Sequence, residues 1–465
     1  MIKKFFIALG LVLVVVLGLF FLKWEHNMPR IIVTPEKSFI DEPVKISISN
    51  LSPHEHLTLE ASCTDKKNNT WSSRAVFEAD ANGMVHVATQ APVSGSYQGV
   101  DPMGLFWSMT PPNKKVSSFS YKKKVPEILL SVFSQNKLIA QKTICRLLIS
   151  PDIEKRHIHE DGVIGTLFYP KNMQSGPGII VIPGSNGGIP EGHAQLLVSH
   201  GYAVLALGYF AAKGLPDTLE NIPLEYFQNA IQWFKKQSQV DENRIALRGA
   251  SRGGELVLLL AATFPNEINA VIAYVPSNLV YGGVPKQNEP AWTYKNIPIP
   301  FMPSPNDEEF QSAAKEGNIP FHKGTFEDPY EITINFLYGM KKFSQNIKAA
   351  TIPVENIRCP ILILSGEDDK LWPSTLYGNR IMERLDKKKS TIERKHVHFS
   401  GAGHMFSVPY IPSISLPSYN PLKKSWSTLG GTTEDNAKAS KESYKAVLNF
   451  LEKTLKLKGK LNGKK

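Results

Sequence analysis

The chain has 465 residues, of which 42% are hydrophobic and 20% charged, a balance typical of a globular protein with more than one domain. The formal net charge is +11, but the lysine clusters at 122–124, 387–389 and 453–465 are scattered and lack a nucleic-acid-binding motif. No nucleic-acid partner is predicted. The cysteines, Cys63, Cys145 and Cys359, are odd in number and lack metal-ligand spacing, so neither a disulfide framework nor a metal site is predicted.

The amino terminus carries an apolar run. Residues 5–22 are 18 consecutive apolar residues, long enough to cross the hydrocarbon core of a bilayer as a helix. A single-pass anchor is favoured over a removed signal peptide, because the residues that follow are not the small ones of a cleavage site. Lys3 and Lys4 precede the run, and Lys23, Arg30 and Lys37 follow it. Because basic residues lie on both sides, their distribution does not clearly favour one orientation in the membrane. We expect the chain that follows the run to face outside the cytoplasm.

Residues 31–150 predict an all-β sandwich domain. Val44, Ile46 and Ile48 alternate with polar residues, and the segment from Leu57 to Cys63 does the same. This period of two is typical of strands with one buried face. A hairpin is predicted around residues 135–136.

Residues 151–465 predict an α/β domain. Apolar runs at 178–182, 203–207, 244–247, 270–274 and 361–364 alternate with amphipathic stretches, as in a mostly parallel sheet covered by helices. Apolar residues in the segment 224–234 recur at helical spacing, which predicts a crossover helix. The proline-rich stretch 279–356 interrupts the alternation and predicts an inserted lid before the next strand.

Residues 249–253 read Gly-Ala-Ser-Arg-Gly, which satisfies the motif G-x-S-x-G. A short apolar strand precedes the motif and a predicted helix follows it, the context of the nucleophile turn in an α/β-hydrolase. On such a turn the hydroxyl of Ser251 stands clear of the sheet, beside the unpaired N–H groups of the helix amino terminus. Ser251 is therefore the predicted nucleophile.

Two later segments complete a predicted triad. Glu367, Asp368 and Asp369 follow the strand 361–364, and His404 follows a strand-like stretch at 397–399. The chain order serine, acid, histidine is that of the α/β-hydrolases. Asp369 has the register expected of the orienting acid, so it is preferred to the other two. His396 and His398 alternate along a strand and are not expected to bind a metal.

An oxyanion hole needs two donors, one of them normally from the loop after an early strand. The loop 183–188 reads Pro-Gly-Ser-Asn-Gly-Gly and fits that position. The predicted donors are the backbone N–H groups of Arg252 and Ser185, with Gly184 or Asn186 as alternatives to Ser185.

The chain resembles the type I acyl-CoA thioesterases and the bile acid-CoA:amino acid N-acyltransferases. The resemblance covers nearly everything after the apolar run and rests on short segments in order, at 41–44, 95–97, 101–107, 201–207, 214–216, 224–227 and 401–404. It implies a sandwich domain followed by an α/β-hydrolase domain that acts on fatty or bile acyl thioesters through a covalent acyl-enzyme. It maps the nucleophile to Ser251, the acid to Asp369 and the base to His404. Three features depart from the family pattern: Arg252, where lysine is usual, an oxyanion loop poorer in glycine, and the amino-terminal apolar run.

The predicted reaction is hydrolysis of an acyl-CoA or related acyl thioester, without a cofactor. Amino acid N-acyl transfer is the nearest alternative, although the transferases of the family use cysteine as nucleophile. Carboxylester or peptide hydrolysis by a membrane-tethered enzyme, and a binding module with an inactive hydrolase domain, are further alternatives.

Overall fold

The computed structural model describes residues 28–113, 116, 118–120, 126–420 and 424–455. They divide into two compact units, one formed by residues up to Pro112 with Phe119–Leu147, and the other by Asn113–Ser118 with the chain from Leu148 onwards. The apolar run at 5–22 lies outside the described residues. Among the residues that are described, no helix is both long enough and apolar enough to span a membrane.

The first unit is built from β-strands. A sheet of three strands has the order β1-β3-β6, and a sheet of six has the order β2-β9-β8-β4-β5-β7. One short helix, α1, lies between β7 and β8. The elements are β1 (Arg30–Thr34), β2 (Lys37–Phe39), β3 (Lys45–Ser49), β4 (His56–Thr64), β5 (Thr70–Glu78), β6 (Val85–His86), β7 (Ser94–Gly95), α1 (Gly104–Trp107), β8 (Glu127–Ser134) and β9 (Lys137–Leu147).

The alternating pattern of the sequence corresponds to alternating burial in these strands. In β3, Ile46 and Ile48 are buried while their neighbours are at least partly exposed, and β4 alternates in the same way along its length. The predicted hairpin is confirmed, because β8 and β9 pair antiparallel across Gln135 and Asn136. Both turn residues have positive φ, as in the type I′ turn that commonly joins two antiparallel strands.

The second unit is built around an eight-stranded sheet with the order β10-β11-β13-β12-β15-β16-β19-β20. The six strands from β13 to β20 in that order are parallel to one another, whereas β11 pairs antiparallel with both β13 and β10. The parallel strands predicted from apolar runs are confirmed. The strands are β10 (Ile153–Glu160), β11 (Val163–Pro170), β12 (Gly176–Ile182), β13 (Ala203–Leu207), β15 (Val240–Ala250), β16 (Ala270–Tyr274), β19 (Ile361–Gly366) and β20 (Arg394–Phe399).

Helices cover both faces of this sheet, which explains why its central strands are apolar on both sides. On one face, Phe227, Leu258 and Leu385 pack into one apolar cluster with the sheet. On the other face, Leu197 and Leu451 pack into a second cluster. The covering helices are α2 (Glu191–Ser199), α3 (Leu224–Lys235), α4 (Arg252–Thr263), α8 (Ser374–Lys387) and α9 (Thr433–Leu455).

The chain between β16 and β19 is an insertion, as predicted from its prolines. It contributes Tyr281 and Met302 to an apolar cluster that also holds Trp372 and Tyr377, which follow β19. The remaining short elements of the unit lie here and in two small sheets: β14 (Ile222–Pro223), β17 (Trp292–Tyr294), β18 (Ile297–Pro298), α5 (Asp307–Lys315), α6 (Thr333–Lys342), α7 (Ile347–Ala350), 3₁₀ turns at Ser344–Asn346 and Val354–Asn356, β21 (Ser418–Asn420) and β22 (Ser425–Ser427).

The last strand of the large sheet carries a histidine whose titration bears on stability. His396 Nε2 lies 2.7 Å from Ser365 Oγ, and burial lowers the pKa of His396 from 6.5 to about 4, with a smaller contribution from His398. A histidine whose pKa is lowered on folding binds fewer protons in the folded state than in the unfolded state. Its contribution to stability is therefore complete above pH 6.5 and is lost as the pH falls through about 4.

We predict that the thermal midpoint of the wild-type protein falls between pH 6.5 and pH 4 more steeply than that of His396→Gln. Glutamine offers Ser365 a polar partner near the position of Nε2 but does not titrate. The comparison is made by circular dichroism across this pH range. Parallel curves for the two proteins would contradict the prediction.

Candidate active site

Ser251 lies on the turn between β15 and α4, at the carboxyl edge of the sheet. Its backbone has φ 58° and ψ −122°, a left-handed conformation that non-glycine residues seldom adopt. The N–H of Ser251 donates to Tyr274 O at 2.9 Å, which ties the turn to the neighbouring strand β16. Helix α4 begins at the next residue, so the half-buried serine stands at a helix amino terminus.

The two glycines of the motif are required by close backbone contacts. A Cβ atom on Gly249 would lie 2.0 Å from Gly253 O, and one on Gly253 would lie 2.6 Å from Pro183 O. Either contact is far inside van der Waals distance. The motif therefore has glycine at both positions because the serine turn, the start of α4 and the end of β12 pack too closely to leave room for a Cβ atom.

The loop after β12 lies beside the serine. Gly184 O accepts a hydrogen bond from the N–H of Gly187 at 3.1 Å, which closes a tight turn over Ser185 and Asn186. A Cβ atom on Gly184 would lie 3.5 Å from Ser251 Cβ, so the loop and the serine are in direct proximity. Arg252 is the first residue of α4, and its N–H has no acceptor within the helix.

Asp369 and His404 form a buried hydrogen-bonded pair. His404 Nδ1 lies 2.8 Å from Asp369 Oδ2, and the side chains are 4% and 1% exposed for the histidine and the aspartate. The same oxygen of Asp369 accepts from Ser374 Oγ at 2.6 Å, and the other accepts from the N–H groups of Leu371 and Trp372. These donors hold the carboxylate in one orientation, with Oδ2 directed at the imidazole.

The loop that carries His404 is held in place by hydrogen bonds that its backbone N–H groups donate. The N–H of His404 donates to Leu429 O at 2.8 Å, and the N–H of Gly403 donates to Asn436 Oδ1 at 2.8 Å. The imidazole and the ring of Trp372 are nearly perpendicular, with an interplanar angle of 77° and the centroids 6.1 Å apart. Tertiary contacts from α9 and the segment before it therefore hold the loop in place.

The neighbouring acids have other partners. Glu367 pairs with His398 Nδ1 at 2.5 Å, while Asp368 accepts from the N–H of Gly431 and pairs with Lys370. Of the three acids, only Asp369 lies within hydrogen-bonding distance of His404. Within the described part of the chain, no group of three or more His, Cys, Asp or Glu residues is placed to hold a metal ion.

A cavity of about 460 Å³ is lined by the turn between β10 and β11 and by the segments between β13 and α3. Its walls include Leu215, Ile222, Tyr226 and Tyr209, and none of the predicted triad residues lines it. The hydroxyl of Tyr209 donates to Pro183 O at 3.3 Å. Tyr209 thus lines the cavity and also contacts the start of the loop beside Ser251.

Sequence reasoning missed several supports of the site. Ser374 bonds the acid and lies five residues after it, close enough for a register argument to have included it. Asn436 is 33 residues from Gly403 and has no local signal in the sequence. The side chain of Arg252, which is buried against Glu255, was also not anticipated.

The strand order, the strained serine turn and the buried Asp369–His404 pair together define an α/β-hydrolase. A family model described as BAAT / Acyl-CoA thioester hydrolase C terminal matches residues 222–457, and one described as Acyl-CoA thioester hydrolase/BAAT N-terminal region matches residues 41–160. The chain belongs to this acyl-CoA thioester hydrolase and N-acyltransferase family, as its resemblance implied.

Curated relatives cover nearly the whole chain. The chain is 30% identical over 440 residues to acyl-coenzyme A amino acid N-acyltransferase 1 of Mus musculus, covering 92% of this chain and 98% of the relative. It is 30% identical over 428 residues to acyl-coenzyme A thioesterase 1 of Rattus norvegicus, covering 90% and 95%. It is 28% identical over 442 residues to bile acid-CoA:amino acid N-acyltransferase of Mus musculus, covering 92% and 98%. The named relatives therefore include both hydrolases and transferases.

We predict that Asp369→Asn lowers kcat by about 10³- to 10⁴-fold, because an amide in place of the carboxylate favours the wrong imidazole tautomer. Asp368→Asn is the matched control, since this neighbour contacts Gly431 and Lys370 instead of His404. Both variants are assayed on a thioester after their folding is verified by circular dichroism. Damage by Asp368→Asn with an active Asp369→Asn would reverse the assignment.

Proposed function

We propose that the chain is a serine-dependent thioester hydrolase that cleaves fatty acyl-CoA, or a similar acyl thioester, to the free acid and a thiol. The observation that carries this proposal is the buried hydrogen bond between Asp369 and His404 at the same sheet edge as the strained turn of Ser251. Carboxyl ends of parallel strands meet at one edge of a sheet, where α/β enzymes bind their ligands. Family membership supports the substrate class.

In the proposed mechanism Ser251 Oγ attacks the thioester carbonyl while His404 Nε2 takes its proton. Asp369 holds Nδ1 and stabilises the imidazolium, since its own oxygens are fixed by Ser374 and two backbone N–H groups. The thiolate leaves first and is protonated by His404. Water activated by the same histidine then cleaves the acyl-serine, which releases the acid and restores Ser251.

We assign the oxyanion donors to the backbone N–H groups of Arg252 and Ser185. Arg252 begins α4, where the N–H groups are unpaired and the helix dipole favours negative charge. The turn containing Ser185 is placed beside Ser251 by the close approach of Gly184. Two such donors would stabilise both tetrahedral intermediates.

Hydrolysis is preferred to amino acid transfer because the nucleophile is a serine. An acyl-serine is an oxygen ester, and an oxygen ester reacts less readily with amines, relative to water, than a thioester does. The transferases among the relatives keep N-acyl transfer as the second candidate function. Carboxylester and peptide hydrolysis would use the same residues and are separated by a substrate panel.

The proposed domain division is 1–30 as a membrane segment, 31–150 as the β-sandwich domain and 151–465 as the catalytic domain with the insertion as its lid. The amino-terminal family model and the all-β unit support the second range. The 18 apolar residues at 5–22 support a single-pass anchor. We propose that this anchor sets location alone, with the catalytic domain outside the cytoplasm.

We predict that Ser251→Ala lowers thioester hydrolysis by on the order of 10³-fold or more while the protein stays folded. The assay compares acyl-CoAs, simple esters and aminoacyl amides, with and without glycine or taurine, and measures free acid and acyl-amino acid separately. A fluorophosphonate label should attach to the wild-type protein at Ser251. Retained turnover in Ser251→Ala would exclude Ser251 as nucleophile, and acyl-amino acid as the main wild-type product would favour transfer.

We predict that removing residues 1–28 yields a soluble enzyme with unchanged kcat, because every proposed site residue lies in the second unit. Membrane association should be lost at the same time. Protease accessibility in intact cells or spheroplasts reports the side of the membrane on which the full-length protein resides. A truncated protein that is folded by circular dichroism but inactive would show that the segment contributes to the site.

A further inference from the structure

The guanidinium of Arg252 joins the nucleophile helix to the inserted segment. Arg252 is 5% exposed, and its Nη1 donates to Glu255 Oε2 at 2.7 Å, one turn further along α4. Its Nη2 donates to Tyr281 O and to Gly282 O, both at 2.9 Å. One side chain therefore bridges the first turn of α4 and the beginning of the insertion.

Glu255 and Trp292 complete this buried group. Glu255 is fully buried, and its second oxygen accepts from Trp292 Nε1 at 3.1 Å. Burial raises the pKa of Glu255 to about 7, and the adjacent guanidinium opposes that rise. A buried ion pair often gives little net stability over an apolar replacement. The distinctive property of this ion pair is its geometry. Two carbonyl oxygens and one carboxylate all accept hydrogen bonds from the single planar guanidinium of Arg252.

Tyr281 extends the connection to the acid side of the site. Its hydroxyl lies 2.5 Å from the hydroxyl of Tyr377, and its ring packs at 6.1 Å from the ring of Trp372. The N–H of Trp372 bonds Asp369 Oδ1, and the Trp372 ring faces His404. A continuous set of contacts thus runs from the first turn of α4 to the Asp369–His404 pair.

We propose that the Arg252 side chain is a positioning residue that holds the first turn of α4, and with it the Arg252 N–H, in register with the Asp369–His404 pair through Tyr281. This inference rests on the proposed function, since it explains how the proposed oxyanion donor is held in position relative to the proposed acid and base. The side chain acts through the backbone N–H and touches neither substrate nor the reacting atoms. A displacement on the order of 1 Å at such a site is enough to lower a rate about 10²-fold.

The test compares Arg252→Lys with the double variant Arg252→Met/Glu255→Gln. Lysine keeps the positive charge opposite Glu255 but lacks the planar fork that reaches two carbonyls and a carboxylate together. The double variant removes the fork without leaving a charged carboxylate unpaired in the core. Glu255→Gln alone keeps the Arg252 bonds to Tyr281 O and Gly282 O, so it isolates the effect of the missing charge.

We expect kcat to fall by about 10- to 100-fold in the double variant, with a much smaller change in KM, because the interaction is needed mainly in the transition state. The rate of fluorophosphonate labelling of Ser251 should fall with kcat. Arg252→Lys should recover part of both rates, and Glu255→Gln should retain more of each than the double variant. Thermal midpoints are measured alongside, so that activity is compared in folded protein.

Wild-type kcat and labelling rate in folded Arg252→Lys, or in the folded double variant, with only a lowered thermal midpoint would overturn the inference and leave a purely structural ion pair. A KM effect without a kcat effect would overturn it as well. Failure of the wild-type protein itself to be labelled at Ser251 is a different result, because it would overturn the proposed function.

Discussion

The left-handed backbone of Ser251 is the constraint on which the rest of the catalytic unit depends. A non-glycine residue is strained at φ 58°, and such strain persists only where surrounding contacts enforce it. Here they come from the bond of its N–H to Tyr274 O and from the crossing of Gly249 and Gly253 against neighbouring backbone. This backbone conformation places Ser251 at the amino terminus of α4, directly before Arg252, the first residue of the helix.

Around this turn the site is assembled from separate parts of the chain whose own supports are buried. Asp369 is held by backbone N–H groups and Ser374, and the His404 loop is held by Leu429 and Asn436. Each support is short and satisfied, so little reorganisation is needed when charge develops on the imidazole. The arrangement is suited to holding the imidazole in one tautomer and to stabilising the imidazolium.

The relatives of this chain include both hydrolases and transferases, and the two reactions share their first chemical step. Both form an acyl-enzyme, and they diverge only when water or an amine attacks it. The candidate triad is therefore compatible with either reaction, and the serine nucleophile is the reason that hydrolysis is proposed. The Arg252 side chain connects the first turn of α4 to the inserted segment, and Tyr281 continues these contacts to Trp372 beside the Asp369–His404 pair.

The sequence by itself determined the two fold classes, the family and the candidate triad. Alternating burial of residues such as Ile46 and Ile48 follows from the period of a strand, and G-x-S-x-G is readable because steric contacts at Gly249 and Gly253 require glycine. The register of the segment after the strand already favoured Asp369 over its neighbours. The tertiary structure then placed the carboxylate of Asp369, and not those of Glu367 and Asp368, within hydrogen-bonding distance of His404. It alone revealed Asn436 and the Arg252–Tyr281 bridge, since these contacts join residues 33 and 29 positions apart and no local pattern encodes them.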